Sequence, residues 1–265
     1  MGYPINIAVD IGGTGARLAL SARGGIQNIH YAKPDSLPAL INAISRLAGG
    51  KGPDALAIAA PGRVRDKKVI DCYSARWLEG DPARVIRREL ALREDKIQLI
   101  NDGEAHALAL RKRSNIKFGA IHLAVGTGLG FGVIDENGKI LRSLSGDNWE
   151  LSDIRLITRS PENEVWRLLG ARGFKEQQER GDTDGYQYYG WRLGSLASQL
   201  ALIFRPRTIG LSGGIVRHHW RRIQGGFRYE LEKRIGSLKH VMPVPEVIVL
   251  DDDEDAALTG LTALF

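Results

Sequence analysis

Residues 7–20 read IAVDIGGTGARLAL, a β-prone apolar run, a glycine turn and a second apolar run. This pattern predicts a strand, a tight turn and a second strand. Glycines let the backbone approach a ligand closely, and successive N–H groups in such a turn form an anion-binding concavity. Thr14 adds a hydroxyl, and Asp10 adds a carboxylate suited to a hydrated Mg²⁺. The same residues fit an ordinary hairpin, so this stretch alone leaves a phosphate site and a plain turn equally open.

Composition places the chain among soluble globular proteins. It has 265 residues, of which 43% are hydrophobic and 26% charged, enough for one large domain or two modest ones. No apolar run approaches the roughly 20 residues that span a bilayer, and no signal peptide is recognisable. Cys72 is the only cysteine, which excludes an intrachain disulfide and a multi-cysteine zinc site. We expect a cytoplasmic protein with no membrane partner and no zinc.

The formal net charge of +6 comes mostly from arginines, in clusters at 84–88, 111–113 and 217–222. Such a field favours anionic ligands or nucleic acid. Solvated helix faces explain the clusters more simply, and no zinc finger, aromatic RNA-binding motif or long basic arm accompanies them. We therefore expect no nucleic-acid partner.

A second glycine turn, Gly126-Thr127-Gly128, lies between strand-like runs at Ala120–Val125 and Leu129–Ile134. It repeats the opening pattern after about 115 residues, which suggests an internal duplication. We predict an N-terminal lobe over 1–106, completed by a C-terminal helix at 253–265, and a C-terminal lobe over 107–252. Neither turn matches a Walker P-loop or a dinucleotide fingerprint.

A buried strand, Ile97–Ile100, runs directly into Asn101-Asp102, and a helix follows through about Lys112. Ligands collect at the carboxyl ends of strands in open α/β sheets, so Asp102 is a candidate functional carboxylate. The position is equally that of an ordinary helix N-cap.

Two other strands end in glycine-containing turns. Ala55–Ala59 ends at Pro61-Gly62, a natural lip for a cleft. Thr208–Leu211 leads through Ser212-Gly213-Gly214 into a helix, an arrangement that brings a ligand close to the helix N-terminus. Between these motifs the sequence predicts a helix at 162–179, a loop at 181–185 and a long helix at 186–204.

Taken in order, these motifs resemble the sugar kinases of the actin/hexokinase/Hsp70 superfamily and, within it, the ROK group. The likeness extends over nearly the whole chain, to the closing Asp-Asp and Ala-Ala-Leu-Thr-Gly helix. It implies an α/β protein of the two-lobed ribonuclease H-like (actin-like ATPase) fold, with duplicated mixed β-sheet domains and a cleft between them. It also implies a homodimer.

The resemblance implies ATP and Mg²⁺ as cofactors. The first turn would contact the β- and γ-phosphates, Asp10 would orient Mg²⁺ indirectly, the second turn would embrace the transferring phosphoryl group, and the third motif would line the adenosine pocket. The first turn is Gly12, Gly13 and Thr14, and the second is Gly126, Thr127 and Gly128. The residues of the third motif that would line the adenosine pocket are Gly213 and Gly214, and the residue that would orient Mg²⁺ is Asp10.

On the sugar side, the resemblance implies that Asn101 and Asp102 bind hydroxyl groups, with Asp102 as general base, and that Pro61-Gly62 forms part of the wall. The substrate would be a hexose or an N-acetylhexosamine. A carboxylate within hydrogen-bond reach of the hydroxyl accepts its proton, which typically accelerates transfer about 10²–10⁴-fold.

Three features depart from the family pattern. Gly-Glu-x-Gly-His is usual, whereas residues 149–153 read WELSD, so that Glu150 matches the sugar-binding Glu and Asp153 stands in place of His. The usual cysteine-rich zinc loop is missing, and Gly15 follows Thr14 where Lys or Asn is common. The altered segment 149–153 keeps open a sugar or nucleotide sensor with weakened catalysis. A kinase of a non-sugar metabolite is a further alternative, because a fold does not fix the substrate. The phosphoryl donor, ATP or polyphosphate, also stays open.

Overall fold

Eleven strands and eight α-helices build the described part of the chain. The structure, a computed structural model, describes residues 4–22, 25–112, 116, 119–151, 165–179, 182–250 and 255–265. It divides into two compact units: unit 1 comprises Met1–Ser114, Arg142–Trp149 and Asp255–Phe265, and unit 2 comprises Asn115–Leu141 and Glu150–Glu254.

The strands are β1 (Asn6–Gly12), β2 (Gly15–Ala22), β3 (Gly25–Ala32), β4 (Ala55–Ala60), β5 (Arg63–Arg65), β6 (Lys68–Asp71), β7 (Ile97–Asn101), β8 (Ala120–Val125), β9 (Leu129–Ile134), β10 (Thr208–Ser212) and β11 (Glu246–Val249). The helices are α1 (Leu37–Leu47), α2 (Pro82–Glu89), α3 (Asp102–Ala109), α4 (Val165–Leu169), α5 (Ala171–Glu179), α6 (Asp182–Phe204), α7 (Gly214–Gly236) and α8 (Ala256–Leu261).

Unit 1 is built on a five-stranded sheet of order β3-β2-β1-β4-β7. The strands β1 and β2 form the predicted antiparallel hairpin, while β1, β4 and β7 run parallel. Residues 7–11 of β1 and residues 56–60 of β4 are all buried, and each fully buried Val, Leu or Ile contributes about 1.5–3 kcal/mol. Because parallel strands end at the same sheet edge, the chain segments that follow β1, β4 and β7 lie side by side.

Helix starts in unit 1 follow the sequence signals. Ser36 is the N-cap of α1, and Asp81 is the N-cap of α2 with proline at the first helical position. The Asp81 side chain accepts a hydrogen bond from the Arg84 backbone N–H at 3.0 Å, which satisfies one orphan donor of the first turn. Both helices thus begin at residues whose side chains are typical of helix N-termini.

Unit 2 contains a four-stranded sheet of order β11-β10-β8-β9 and the long, mutually packed helices α6 and α7. Glycines permit this close packing. A Cβ atom at Gly190 would lie 1.9 Å from the Ile223 carbonyl oxygen, and one at Gly194 would lie 2.4 Å from that of Phe227.

One predicted loop is wrong: α6 already begins at Asp182, so residues 182–185 are helical. Gly185 is a packing residue, since a Cβ there would lie 2.1 Å from the backbone oxygen of Gln177. A short antiparallel hairpin, β5–β6, follows Pro61-Gly62 and was not predicted. None of the helices in the described ranges combines the length and the apolar character that a membrane crossing requires.

Candidate functional site

The first glycine turn joins β1 to β2 in unit 1, and Gly12, Gly13 and Thr14 are exposed in it. Gly15 has φ +148°, and a Cβ there would lie 2.7 Å from the Ala32 carbonyl oxygen on β3. Lys or Asn at this position would therefore clash with the neighbouring strand. The departure from the family pattern has a local structural cause and leaves the exposed turn unobstructed.

Asp10 lies just before this turn and is 9% exposed. Arg17, opposite it on β2, donates to Asp10 Oδ2 from Nη2 at 2.5 Å and from Nε at 3.2 Å. Nη1 of Arg17 also donates to Asp255 Oδ1 at 3.0 Å, next to α8. Burial lowers the pKa of Arg17, but the two carboxylates more than offset this, so the pKa is raised. The guanidinium therefore stays charged and holds Asp10 in place.

Pro61 and Gly62 follow β4 at the same sheet edge. Pro61 is buried, and Gly62 has φ +86° with its missing Cβ only 2.1 Å from the Asp71 carbonyl oxygen. No other residue fits this turn without strain. The Asn101 side-chain amide donates to the Gly62 carbonyl oxygen at 2.8 Å, which ties the end of β4 to the end of β7.

Asp102 occupies the first position of α3, with Asn101 as N-cap and Glu104 completing a capping box. The Gly103 N–H lies 2.8 Å from Oδ1 of Asn101 and 2.8 Å from Oδ1 of Asp102. Asp102 is only partly buried. The helix dipole favours an anionic side chain in the first helical turn, so a carboxylate is well placed at this position. The N-cap is Asn101, so the interpretation of Asp102 as a plain cap is wrong.

Two buried or half-buried ion pairs of unit 1 were not predicted from the sequence. Glu104 is 2% exposed and forms a two-point ion pair with Arg142, at 2.9 Å from Nε to Oε1 and 3.0 Å from Nη2 to Oε2. Asp147 pairs with Arg65 in the same way, at 2.5 and 3.0 Å. Arg142 and Asp147 belong to the segment Arg142–Trp149, which joins unit 1 although unit 2 residues flank it on both sides.

In unit 2, the second glycine turn and the third motif lie next to each other. Ser212 at the end of β10 pairs with Ala124 on β8. Gly213 has φ +93°, and a Cβ there would lie 2.4 Å from the Val125 carbonyl oxygen, directly before the second turn. Buried His122 contacts Ser212 through Nε2 and Oγ at 2.7 Å. This contact links β8 to β10 inside the sheet, which is a structural role for His122.

Three glycines of unit 2 have neither a strained φ nor a crowded neighbourhood. Apart from neighbours along the chain, no atom of the described residues lies within 4 Å of a Cβ placed at Gly126, Gly128 or Gly214. Conformation and packing therefore leave these glycines unexplained. Open space beside the backbone is compatible with the ligand roles that the sequence predicts for them.

The structure thus brings the predicted residues into two groups. Within unit 1 it places Asp10, Gly12, Gly13, Thr14, Pro61, Gly62, Asn101 and Asp102 at one sheet edge, and within unit 2 it places Gly126, Thr127, Gly128, Gly213 and Gly214 together. Glu150 is partly buried and is the first residue of the second stretch of unit 2, Glu150–Glu254. Asp153 lies outside the described residues. The ligand roles of all these residues stay predictions.

Comparison with known proteins gives one family. The profile of the ROK family matches residues 6–161. No curated protein sequence matches the chain.

Solved structures resemble the chain over nearly its full length. A ROK family glucokinase from Streptomyces griseus, solved with glucose and AMPPNP, superposes with a TM-score of 0.77 at 21% identity, covering 98% of each chain. An inorganic polyphosphate/ATP-glucomannokinase from Arthrobacter sp. strain KM gives a TM-score of 0.66 at 18% identity, again covering 98% of each. A ROK family transcriptional regulator, a homologue of the E. coli MLC protein, gives a TM-score of 0.74 at 16% identity, covering 98% of this chain and 78% of the regulator. The predicted α/β fold of the actin-like ATPase type is confirmed.

Proposed function

The chain belongs to the ROK family, and we propose that it is a kinase that transfers a phosphoryl group from ATP to a hydroxyl of a hexose or N-acetylhexosamine. The single observation that carries the proposal is the position of Asp102: a partly buried carboxylate in the first turn of α3, at the sheet edge that also holds Asp10 and the first glycine turn. The S. griseus glucokinase with the same fold was solved with glucose and AMPPNP, which supports this choice of substrates.

The residues of unit 1 fit a hydrated Mg²⁺. Asp10, Asp255 and the intervening Arg17 carry a net negative charge, and both Arg17 bonds to Asp10 end on Oδ2. Mg²⁺ keeps several water ligands and takes one or two carboxylates, so Asp10 would hold it through water at Oδ1. When bound, the ion supplies positive charge that neutralises the phosphate oxygens.

The glycine turns fit phosphate groups. Exposed backbone at Gly12 and Gly13, with the Thr14 hydroxyl, would bind terminal phosphates. In unit 2, the open backbone at Gly126 and Gly128 would do the same, and Gly213-Gly214 would border the adenosine. Phosphoryl transfer is catalysed mainly by positioning and charge stabilisation, which backbone amides supply without bulky side chains.

Asp102 supplies the remaining chemistry. As general base it accepts the proton of the sugar hydroxyl while that oxygen bonds to the γ-phosphorus and the bond from this phosphorus to ADP breaks. Asn101 binds a neighbouring hydroxyl. Glu150 and Asp153 complete the sugar contacts in this proposal. An Asp in place of His exchanges a hydrogen-bond donor for an acceptor. We therefore expect the preferred sugar to direct a hydrogen-bond donor, such as a hydroxyl group, towards Asp153.

A coupled ADP-release assay with ATP over a panel of hexoses and N-acetylhexosamines tests the proposal, and direct detection of sugar phosphate tests polyphosphate as the donor. We expect turnover with at least one sugar, a loss of about 10²–10⁴-fold in Asp102→Asn, and nucleotide affinity close to that of the wild type. Tight ATP binding without turnover on any sugar would reject the kinase and favour the sensor alternative, which the structural likeness to a ROK transcriptional regulator keeps in view.

A further inference from the structure

The residues next to Asp102 take part in a closed ring of hydrogen bonds and ion-pair contacts within unit 1. Asn101 donates to the Gly62 carbonyl oxygen, and Glu104 accepts from the Asn101 backbone N–H at 3.0 Å. Glu104 also receives both bonds of Arg142. The ring therefore runs from the turn after β4, through the first turn of α3, to the segment Arg142–Trp149.

The C-terminal part of the segment Arg142–Trp149 bonds to the backbone just after Gly62, where the ring begins. The Val64 N–H donates to Asn148 Oδ1 at 2.7 Å, and the Asn148 N–H donates to the Val64 carbonyl oxygen at 3.3 Å. Arg65 and Asp147 form their ion pair beside these bonds. Val64 lies two residues after Gly62, so a short stretch of backbone closes the ring.

A capping box does not account for this arrangement. The box needs one side-chain oxygen of the residue at the third helical position, and glutamine supplies it as well as glutamate. Here the carboxylate is 2% exposed and its two oxygens are both engaged by Arg142. A planar guanidinium gripping a carboxylate at two points fixes orientation as well as distance. The pair therefore fixes the first turn of α3 more tightly than a cap alone.

We propose that Glu104 and Arg142 are positioning residues of phosphoryl transfer. Resting on the kinase proposed above, the pair holds the first helical turn of α3 against the Gly62 wall, and so keeps the Asp102 carboxylate at its working distance from the sugar hydroxyl. Neither residue touches the substrate. Displacing a reacting group by about 1 Å costs on the order of 10²-fold in rate, so the effect is on kcat.

Three variants test this role, each measured for kcat, KM of both substrates, ADP affinity and melting temperature. Arg142→Met should lower kcat by about 10²-fold and also lower the melting temperature, because the Glu104 carboxylate is left buried without its guanidinium. The double variant Glu104→Gln/Arg142→Met removes that buried charge and keeps the capping bond. It should recover melting temperature while kcat stays low and ADP affinity stays at the wild-type value.

Arg93→Met is the matched control. Arg93 grips Asp95 at two points, at 3.0 and 3.2 Å, but the two side chains are 79% and 55% exposed, so kcat should not change. A double variant with wild-type kcat would overturn the inference and leave the pair a purely structural one. A wild-type protein that turns over no sugar would instead remove the proposed function, and this role with it.

Discussion

Arg17 and Asp10 face each other across the first hairpin, and the guanidinium of Arg17 reaches Asp10 Oδ2 and Asp255 Oδ1 at once. One cation thus joins the residue before the first glycine turn to the residue before α8. The candidate magnesium residue is therefore held by a side chain of its own hairpin and coupled to the last helix of the chain.

Replacing Arg17 with methionine should destabilise the protein by about 1–3 kcal/mol, because a carboxylate that is 9% exposed loses its charged partner. Urea unfolding at pH 7 measures the change. Arg88→Met is the control, since Arg88 and Glu89 are 76% and 47% exposed and such surface changes usually stay within about 0.5 kcal/mol. Equal effects of the two substitutions would contradict a structural role for the Arg17 pair.

Gly213 and Gly214 should respond oppositely to alanine. Gly214→Ala has open space at the N-terminus of α7, so folding stability should be retained or rise slightly, whereas affinity for ATP should fall. Gly213→Ala meets the Val125 backbone and a φ of +93°, so it should lower stability by roughly 1–3 kcal/mol. Thermal unfolding and titration with an ATP analogue separate the two effects. Unchanged affinity in Gly214→Ala would exclude this backbone from the nucleotide site.

Asp147 should contribute stability that acid removes. The hydrogen bond from Arg65 lowers the pKa of Asp147 in the folded protein. A carboxyl whose pKa is lowered by folding stabilises the native state above its unfolded pKa of about 3.9, and this contribution is lost as pH falls through the folded pKa. Arg65 is 43% exposed, so the contribution at pH 7 should stay below about 1 kcal/mol.

Asp147→Asn should therefore be less stable than the wild type at pH 7, and the difference should shrink as pH falls below about 4. The midpoints of urea unfolding of the wild type and of Asp147→Asn, measured from pH 7 down to pH 2, give this difference in stability. A difference that is constant with pH would show that packing, and not ionisation, explains the variant.

Cys72 should react slowly in the native protein. It is 1% exposed, and burial raises the pKa of its thiol. Only the thiolate is a nucleophile, so both effects reduce alkylation. Iodoacetamide labelling at pH 7.5, followed by mass spectrometry, should be at least ~10-fold slower than in urea-unfolded protein. Equal rates would indicate that the turn around Cys72 opens readily.

Much of unit 1 was predictable because its signals are local. The glycine turns, the Ser36 and Asp81 caps and the strand leading into Asn101-Asp102 depend on residues next to each other in sequence. The Arg17–Asp10 pair was predictable too, since a two-residue turn at Gly13-Thr14 sets these residues opposite each other.

The failures have non-local causes. Arg142 lies 38 positions after Glu104, and nothing in sequence spacing joins them. Gly185 carried the local signal of a loop, yet the backbone of Gln177 on another helix demands a residue without a side chain there. A glycine needed for helix packing and a glycine that interrupts a helix are identical in sequence, so only the packed structure separates them.

Helix α8 packs on α3, where a Cβ at Gly260 would lie 1.8 Å from the carbonyl oxygen of Ala105. Residues 255–265 belong to unit 1, which also contains residues 1–114. A ribosome synthesises the chain from its N-terminus towards its C-terminus, at about 5–20 residues per second. Every residue of unit 2 is therefore synthesised before the piece that closes unit 1. Unit 1 therefore begins first but is completed after unit 2, and the helix that bears Asp102 is covered only once residues 255–265 have been synthesised.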